Sequence, residues 1–147
     1  MRTQAVMGGV VTPRLSAVGP HSARLLLVIL TSLTLLAAGA AVARAPAAAV
    51  EPDLARVIRC MALIKGGFAL AALVGCFWRL ARPAGIWRTP VYVAGPSLMA
   101  AGALGLWSLH GLGLAALGLH LGLFAVLAAA LTDPDVFASG RHGRWMI

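Results

Sequence analysis

Lys65 and His120 are ionisable side chains set deep inside long apolar runs, Lys65 within residues 57–78 and His120 within residues 113–131. An ammonium and an imidazole at one level of a low-dielectric medium can share a hydrogen bond, because a neutral imidazole accepts at one ring nitrogen while the ammonium only donates. Such a pair suits a polar layer or an ion path, since ionisable groups in a bilayer are costly and turn toward protein or water rather than lipid. At about 1.5 Å per helical residue, Lys65 falls about 4 Å from the middle of its run and His120 about 3 Å from the middle of its own. If both runs start on the same face of the membrane, the two side chains share a depth. Thr34, near the middle of residues 25–43, reaches the same level. The expectation is therefore an intramembrane polar layer of Lys65, His120 and Thr34 in which neutral His120 accepts from Lys65. The plainer alternative is a lysine that snorkels, its stem in the apolar region and its ammonium drawn toward the interface.

Other chemistry is thinly represented. Cys60 and Cys76 lie on one run, and sixteen helical residues separate them by about 24 Å, far beyond the ~7 Å between Cα atoms that a disulfide tolerates. Haem ligation by His110 and His120 fails on depth, because His120 lies about 10 Å beyond the helix start that follows His110. His21 and His142 belong to the tails. The chain's four acids are Glu51, Asp53, Asp133 and Asp135, none of them inside an apolar run. This argues against a transporter that couples protons through an intramembrane carboxylate. No nucleophile elbow, Ser-x-x-Lys, His-Glu-x-x-His or phosphate-binding loop is present. No catalytic residue, metal site or cofactor is expected, and the protein reads as a non-enzyme.

The elements that carry these residues follow from composition. Hydrophobic residues make up 61% of the 147 and charged residues only 11%, against about 25% charged in a soluble domain. Arginine and lysine outnumber acids twelve to four, yet the bases flank the apolar runs instead of gathering on one basic face. That is the pattern of membrane topology, not of nucleic-acid binding. The bases are Arg except for Lys65, and Ala, Gly and Leu abound, in keeping with a GC-rich bacterial coding bias. Four runs of about 20 residues, 25–43, 57–78, 91–109 and 113–131, each suffice to cross a ~30 Å hydrocarbon core as helix. The expected fold is an all-α, polytopic membrane bundle of four transmembrane helices, residues 24–135, between a basic tail at 1–23 and a second tail at 136–147.

Local punctuation refines this layout. Gly8, Gly9, Pro13 and Pro20 argue against structure in the first tail. The first run has two readings: a retained helix, or a signal peptide cut after Ala41-Val42-Ala43, with the long leader before Arg24 favouring retention. Asp53 is placed to cap the second helix and to pair with Arg56. Pro96 should loosen the third helix. The break between the third and fourth runs falls at residues 110–113, and Thr132-Asp133-Pro134-Asp135 stops the fourth.

Even spans put both termini on one side. That side holds Arg2, Arg14, Arg24, Arg79, Arg82, Arg88, Arg141 and Arg144, and the other holds Arg44, Arg56 and Arg59. The excess makes the first side cytoplasmic. Lipid tails are as apolar as leucine, so the spans must meet through small residues. Gly66, Gly67, Gly102, Gly105 and the pair Gly118-x-x-x-Gly122 are the candidates. The resulting expectation is a small inner-membrane protein of non-catalytic type, a subunit, scaffold or helix-interaction protein, whose partners are the lipid bilayer and other membrane subunits or itself. The competing expectation is a small transporter or channel component with Lys65 and His120 on the path.

Overall fold

The computed structural model describes residues 19–135. Of the expected tails at 1–23 and 136–147, residues 1–18 and 136–147 lie outside the described residues, and residues 20–23 belong to the first helix. Four helices follow one another: α1 (Pro20–Arg44), α2 (Pro52–Arg79), α3 (Arg88–Trp107) and α4 (Leu112–Leu131). Each is long and apolar enough to cross a membrane. The fold is an all-α, four-helix bundle, and its four apolar helices indicate a membrane location.

Two of the helices begin earlier than hydropathy alone suggests, and proline explains both. Pro20 and Pro52 stand in the first turns of α1 and α2. A φ fixed at about −65° and a missing N–H suit that position, where the N–H would have no helical partner. The helices thus extend into residues that composition marks as tail and loop. Asp53 is consequently not the cap of α2. Glu51 occupies the cap position and Asp53 sits in the first turn, where its charge still favours the helix N-terminus. Its Oδ1 accepts from Arg56 at 3.2 Å, with both side chains largely exposed.

α3 runs unbroken through Pro96, which is buried. It is followed by a tight turn over residues 108–111. Leu109 and Gly111 both take the left-handed conformation, with φ of 60° and 53°. Glycine adopts this freely, whereas leucine there carries strain of about 1–2 kcal/mol. The turn is held by His110 N–H donating to the Gly105 carbonyl at 2.9 Å and by Ala48 N–H, from the α1–α2 loop, donating to the Leu109 carbonyl at 3.0 Å.

α3 is the hub. It packs against α1, α2 and α4, while α2 and α4 touch only sparingly. It is also the most buried of the four and the least apolar. The α3–α4 contact is a seam of small residues. A Cβ added at Gly102 would stand 2.5 Å from the Ala115 carbonyl, one at Gly105 2.8 Å from Ala115 Cβ, and one at Gly122 2.6 Å from the Gly95 carbonyl. The backbones approach so closely that only glycine fits. One apolar cluster joins Leu27, Cys76, Leu80, Tyr92 and Ala129 near the end of the bundle where α1 starts, here called the base. A second joins Ala62, Ala103, Leu106 and Leu119 toward the α3–α4 turn.

Candidate functional site

Lys65 stands almost midway along α2, and His120 lies slightly before the middle of α4. Both helices run in the same direction across the bundle, so both side chains stand near mid-height. The structure brings them together: Lys65 Nζ is 3.4 Å from His120 Nε2. The tautomer follows from the other ring nitrogen. His120 Nδ1 is 2.7 Å from the Ala116 carbonyl oxygen one turn earlier. A carbonyl only accepts, so Nδ1 carries a proton, and Nε2 is the ring atom that faces the Lys65 amine. Both residues are half-buried. The result is one basic pair at mid-height, shared between α2 and α4.

Thr34 is not tied to this centre. Its hydroxyl turns back to the carbonyls of Leu30 and Thr31, both at 2.9 Å. The threonine of α1 that reaches across the bundle is Thr31, which is buried and whose Oγ1 lies 3.0 Å from Ser97 Oγ on α3. Thr31 is also 2.7 Å from the Leu27 carbonyl and Ser97 is 3.1 Å from that of Val93. Two hydroxyl protons serve three contacts, so one proton is shared. This pair ties α1 to α3 with both hydroxyls also bonded to their own helices.

The expected packing glycines divide. Gly122 is pressed against α3, where an added Cβ would also lie 2.8 Å from Met99 Cγ. Gly118 approaches α3 at ordinary contact distance, 3.8 Å from the Leu98 carbonyl, and Gly66 lies 4.0 Å from Ala103 Cβ. Gly67 faces open space. Adjacent residues on a helix are rotated by about 100°, so Gly66 and Gly67 cannot serve one interface.

A second polar cluster forms at the base, from acids that the sequence marks only as helix stops and bases that it marks only as setting the topology, with Tyr92 added. Asp133 is fully buried. Its carboxylate accepts from Arg79 Nε at 2.8 Å, Arg79 Nη2 at 3.1 Å and the Tyr92 hydroxyl at 3.0 Å. The Asp135 N–H donates to it at 3.2 Å. Arg79 reaches on to Asp135 at 3.0 Å, and its Nη1 is buried with no partner among the described residues. Arg88 donates to the Thr132 carbonyl at 2.6 Å and lies 3.9 Å from Asp133. Burial pushes the Asp133 carboxyl up, but the bonds from Arg79 and Tyr92 outweigh burial and hold it below its ordinary value. This cluster joins the end of α2, the start of α3 and the end of α4. An available signal was an Arg at the end of the second run, a Tyr at the start of the third and an Asp just after the fourth, all at the same side of the expected bundle.

His110 has a structural setting. Nδ1 is 2.7 Å from the Ser108 carbonyl and Nε2 2.6 Å from the Ala45 carbonyl. It thereby pins the α1–α2 loop to the α3–α4 turn, beside the Ala48–Leu109 bond. Cys60 is exposed and Cys76 buried, both as free thiols. Among the described residues no three His, Cys, Asp or Glu side chains are grouped as metal ligands. No protein-family model, curated protein or solved structure matches the chain.

Proposed function

We propose that the chain is a non-catalytic, multi-pass protein of a bacterial inner membrane that works by helix contact, as a subunit or scaffold of a larger membrane assembly or of its own oligomer. The observation that carries this reading is the outer face of α2. Of its 28 residues only Ala62, Ala69 and Cys76 are buried. On another face Gly67, Ala71 and Gly75 recur at four-residue intervals, all exposed, with no atom within 4 Å of a Cβ added at either glycine. Small residues at this spacing let a second helix approach closely enough for backbone contact, the main source of helix association in lipid. Charge bias favours both termini in the cytoplasm. The test is size and composition of the complex extracted in native nanodiscs. A defined assembly is expected for the wild type, and single chains for Gly67→Leu/Gly75→Leu with unchanged unfolding. A monomeric wild type refutes the reading.

The Lys65–His120 pair supports a second reading, a small transporter or channel component with that centre on its path. Abolition of an ion flux in proteoliposomes by Lys65→Ala would select it, and an unchanged flux would reject it.

A further inference from the structure

α1 and α2 both lean on α3 but hardly on each other, and a groove of about 370 Å³ opens between them. Its walls are apolar, with Leu27, Val28 and Leu35 from α1 and Leu73, Val74 and Phe77 from α2 among them. In lipid such a groove is filled by something. Its base-end mouth indicates what. Arg24, one turn into α1, donates from Nε to the Phe77 carbonyl at 3.1 Å. Its guanidinium lies 4.7 Å from the centre of the Phe77 ring. The Phe77 carbonyl is among the last four of α2, which have no helical donor of their own. These two contacts fix the guanidinium over the mouth. They use Nε and one face of the plane, while the four Nη–H donors have no contact among the described residues.

We propose that this groove is a binding site for one anionic phospholipid, with an acyl chain lying between α1 and α2 and the headgroup phosphate bonded to the Nη atoms of Arg24. Two features of the groove and its mouth select this occupant. The first is length. From Arg24 to Leu35 is eleven residues, about 16 Å as helix, close to half of a ~30 Å hydrocarbon core. The groove wall on α1 runs from Leu27 to Leu35, about 12 Å, so groove and cation together match the depth of one leaflet, with the cation at headgroup level. The second is charge. α1 has no acidic residue in its first turn, and the Arg24 guanidinium meets the Phe77 carbonyl and ring rather than a carboxylate among the described residues. A planar guanidinium binds phosphate bidentately, and a guanidinium with no carboxylate beside it disfavours a headgroup that carries its own cation. A second copy of the chain would cover the apolar walls but would have no reason to place an anion at the mouth.

The test is native mass spectrometry of the full chain, delipidated in detergent and titrated with phosphatidylglycerol, phosphatidylcholine or inorganic phosphate. One retained phosphatidylglycerol per chain is expected, in preference to phosphatidylcholine, with no competition by inorganic phosphate at equal concentration. Arg24→Gln should weaken binding about fivefold, the contribution of one arginine near an anionic surface, and Arg24→Lys should weaken it less. Since Arg24 also ties α1 to α2, Val74→Trp serves as the independent variant. It fills the groove from an exposed position, leaves Arg24 in place, and should abolish lipid retention without changing thermal unfolding. Equal affinity for the two lipids, full binding by Val74→Trp, or inorganic phosphate displacing the lipid would each overturn the proposal. So would a change of oligomeric state in Val74→Trp with lipid retention intact, which would assign the groove to a second copy.

Discussion

Asp133→Ala should be the most damaging single change at the base of the bundle. The carboxylate receives two bonds from Arg79, one from the Tyr92 hydroxyl and one from the Asp135 amide. Its own side chain is 0% exposed and that of Arg79 only 10%. Deleting one partner of such a buried pair typically costs about 3–5 kcal/mol, because the other charge stays buried. Arg79 retains its bond to the half-exposed Asp135, so the lower end, about 3 kcal/mol, is expected. The measurement is reversible unfolding of the full chain in mixed micelles with rising SDS, followed by tryptophan fluorescence. Arg79→Met/Asp133→Leu should recover most of the loss, since both desolvation penalties vanish with the charges. The pH dependence has a definite sign. Asp133 is held below its ordinary value in the folded protein, against about 3.9 unfolded. Its contribution is then complete above about pH 4 and disappears as pH falls through the lower folded value. Wild type should lose stability relative to Asp133→Asn only in that acid range. A loss below about 1 kcal/mol for Asp133→Ala, the size of an exposed pair, would refute the buried-pair reasoning. An acid slope shared by Asp133→Asn would do the same.

Three further outcomes can be checked with similar means. Gly122→Val would put a Cβ 2.6 Å from the Gly95 carbonyl, and in the SDS assay should cost at least the ~1–3 kcal/mol of an overpacked core. Gly67→Ala, on the open face, should cost nothing. At the mid-height centre, ¹⁵N NMR should find a proton on His120 Nδ1, and a ring protonated only at Nε2 would contradict the bond to the Ala116 carbonyl. His120→Phe, which strips an ammonium of its acceptor, should destabilise by about 1–3 kcal/mol, and Lys65→Met by much less. His110→Ala should speed hydrogen exchange of the Ala48 amide about tenfold, as expected for loss of one supporting bond of about 1.4 kcal/mol, and unchanged exchange would show that the Leu109 carbonyl holds the loop alone.

Depth was legible in the sequence and direction was not. The constant rise of a helix converts run boundaries into heights, which is why Lys65 and His120 are matched from opposite halves of the chain. Height says nothing about which way a side chain faces. Thr31 and Thr34 differ by one turn in height and by about 60° around α1. That rotation separates a threonine that also reaches Ser97 from one that bonds only its own helix. The same ambiguity hides the difference between Gly66 and Gly67. Asp133 escapes notice for another reason. A tally of bases by side treats Arg79, Arg82 and Arg88 as interchangeable, whereas one of them is buried against a carboxylate at the far end of α4. Hydropathy also misplaces the helix starts because it ignores proline, which sets Pro20 and Pro52 inside the first turns.

The position of α3 follows from the solvent. In water the most apolar helix of a bundle goes to the middle. In lipid that drive is absent, because hydrocarbon tails receive leucine as well as protein does. What decides is the cost of exposing polar and backbone groups to the tails. α3 carries Tyr92, Pro96 and Ser97, and its Gly95, Gly102 and Gly105 thin the cover over its backbone. It is therefore the helix that gains most from enclosure, and each neighbour encloses a different part. α1 meets Ser97 with Thr31, the ends of α2 and α4 meet Tyr92 through the Arg79–Asp133 pair, and the Ala115 and Gly122 surface of α4 closes over the glycines. α1 and α2, joined to the hub chiefly along narrow stripes, keep their remaining faces open, and on those faces lie the small residues and the groove on which the two proposals rest.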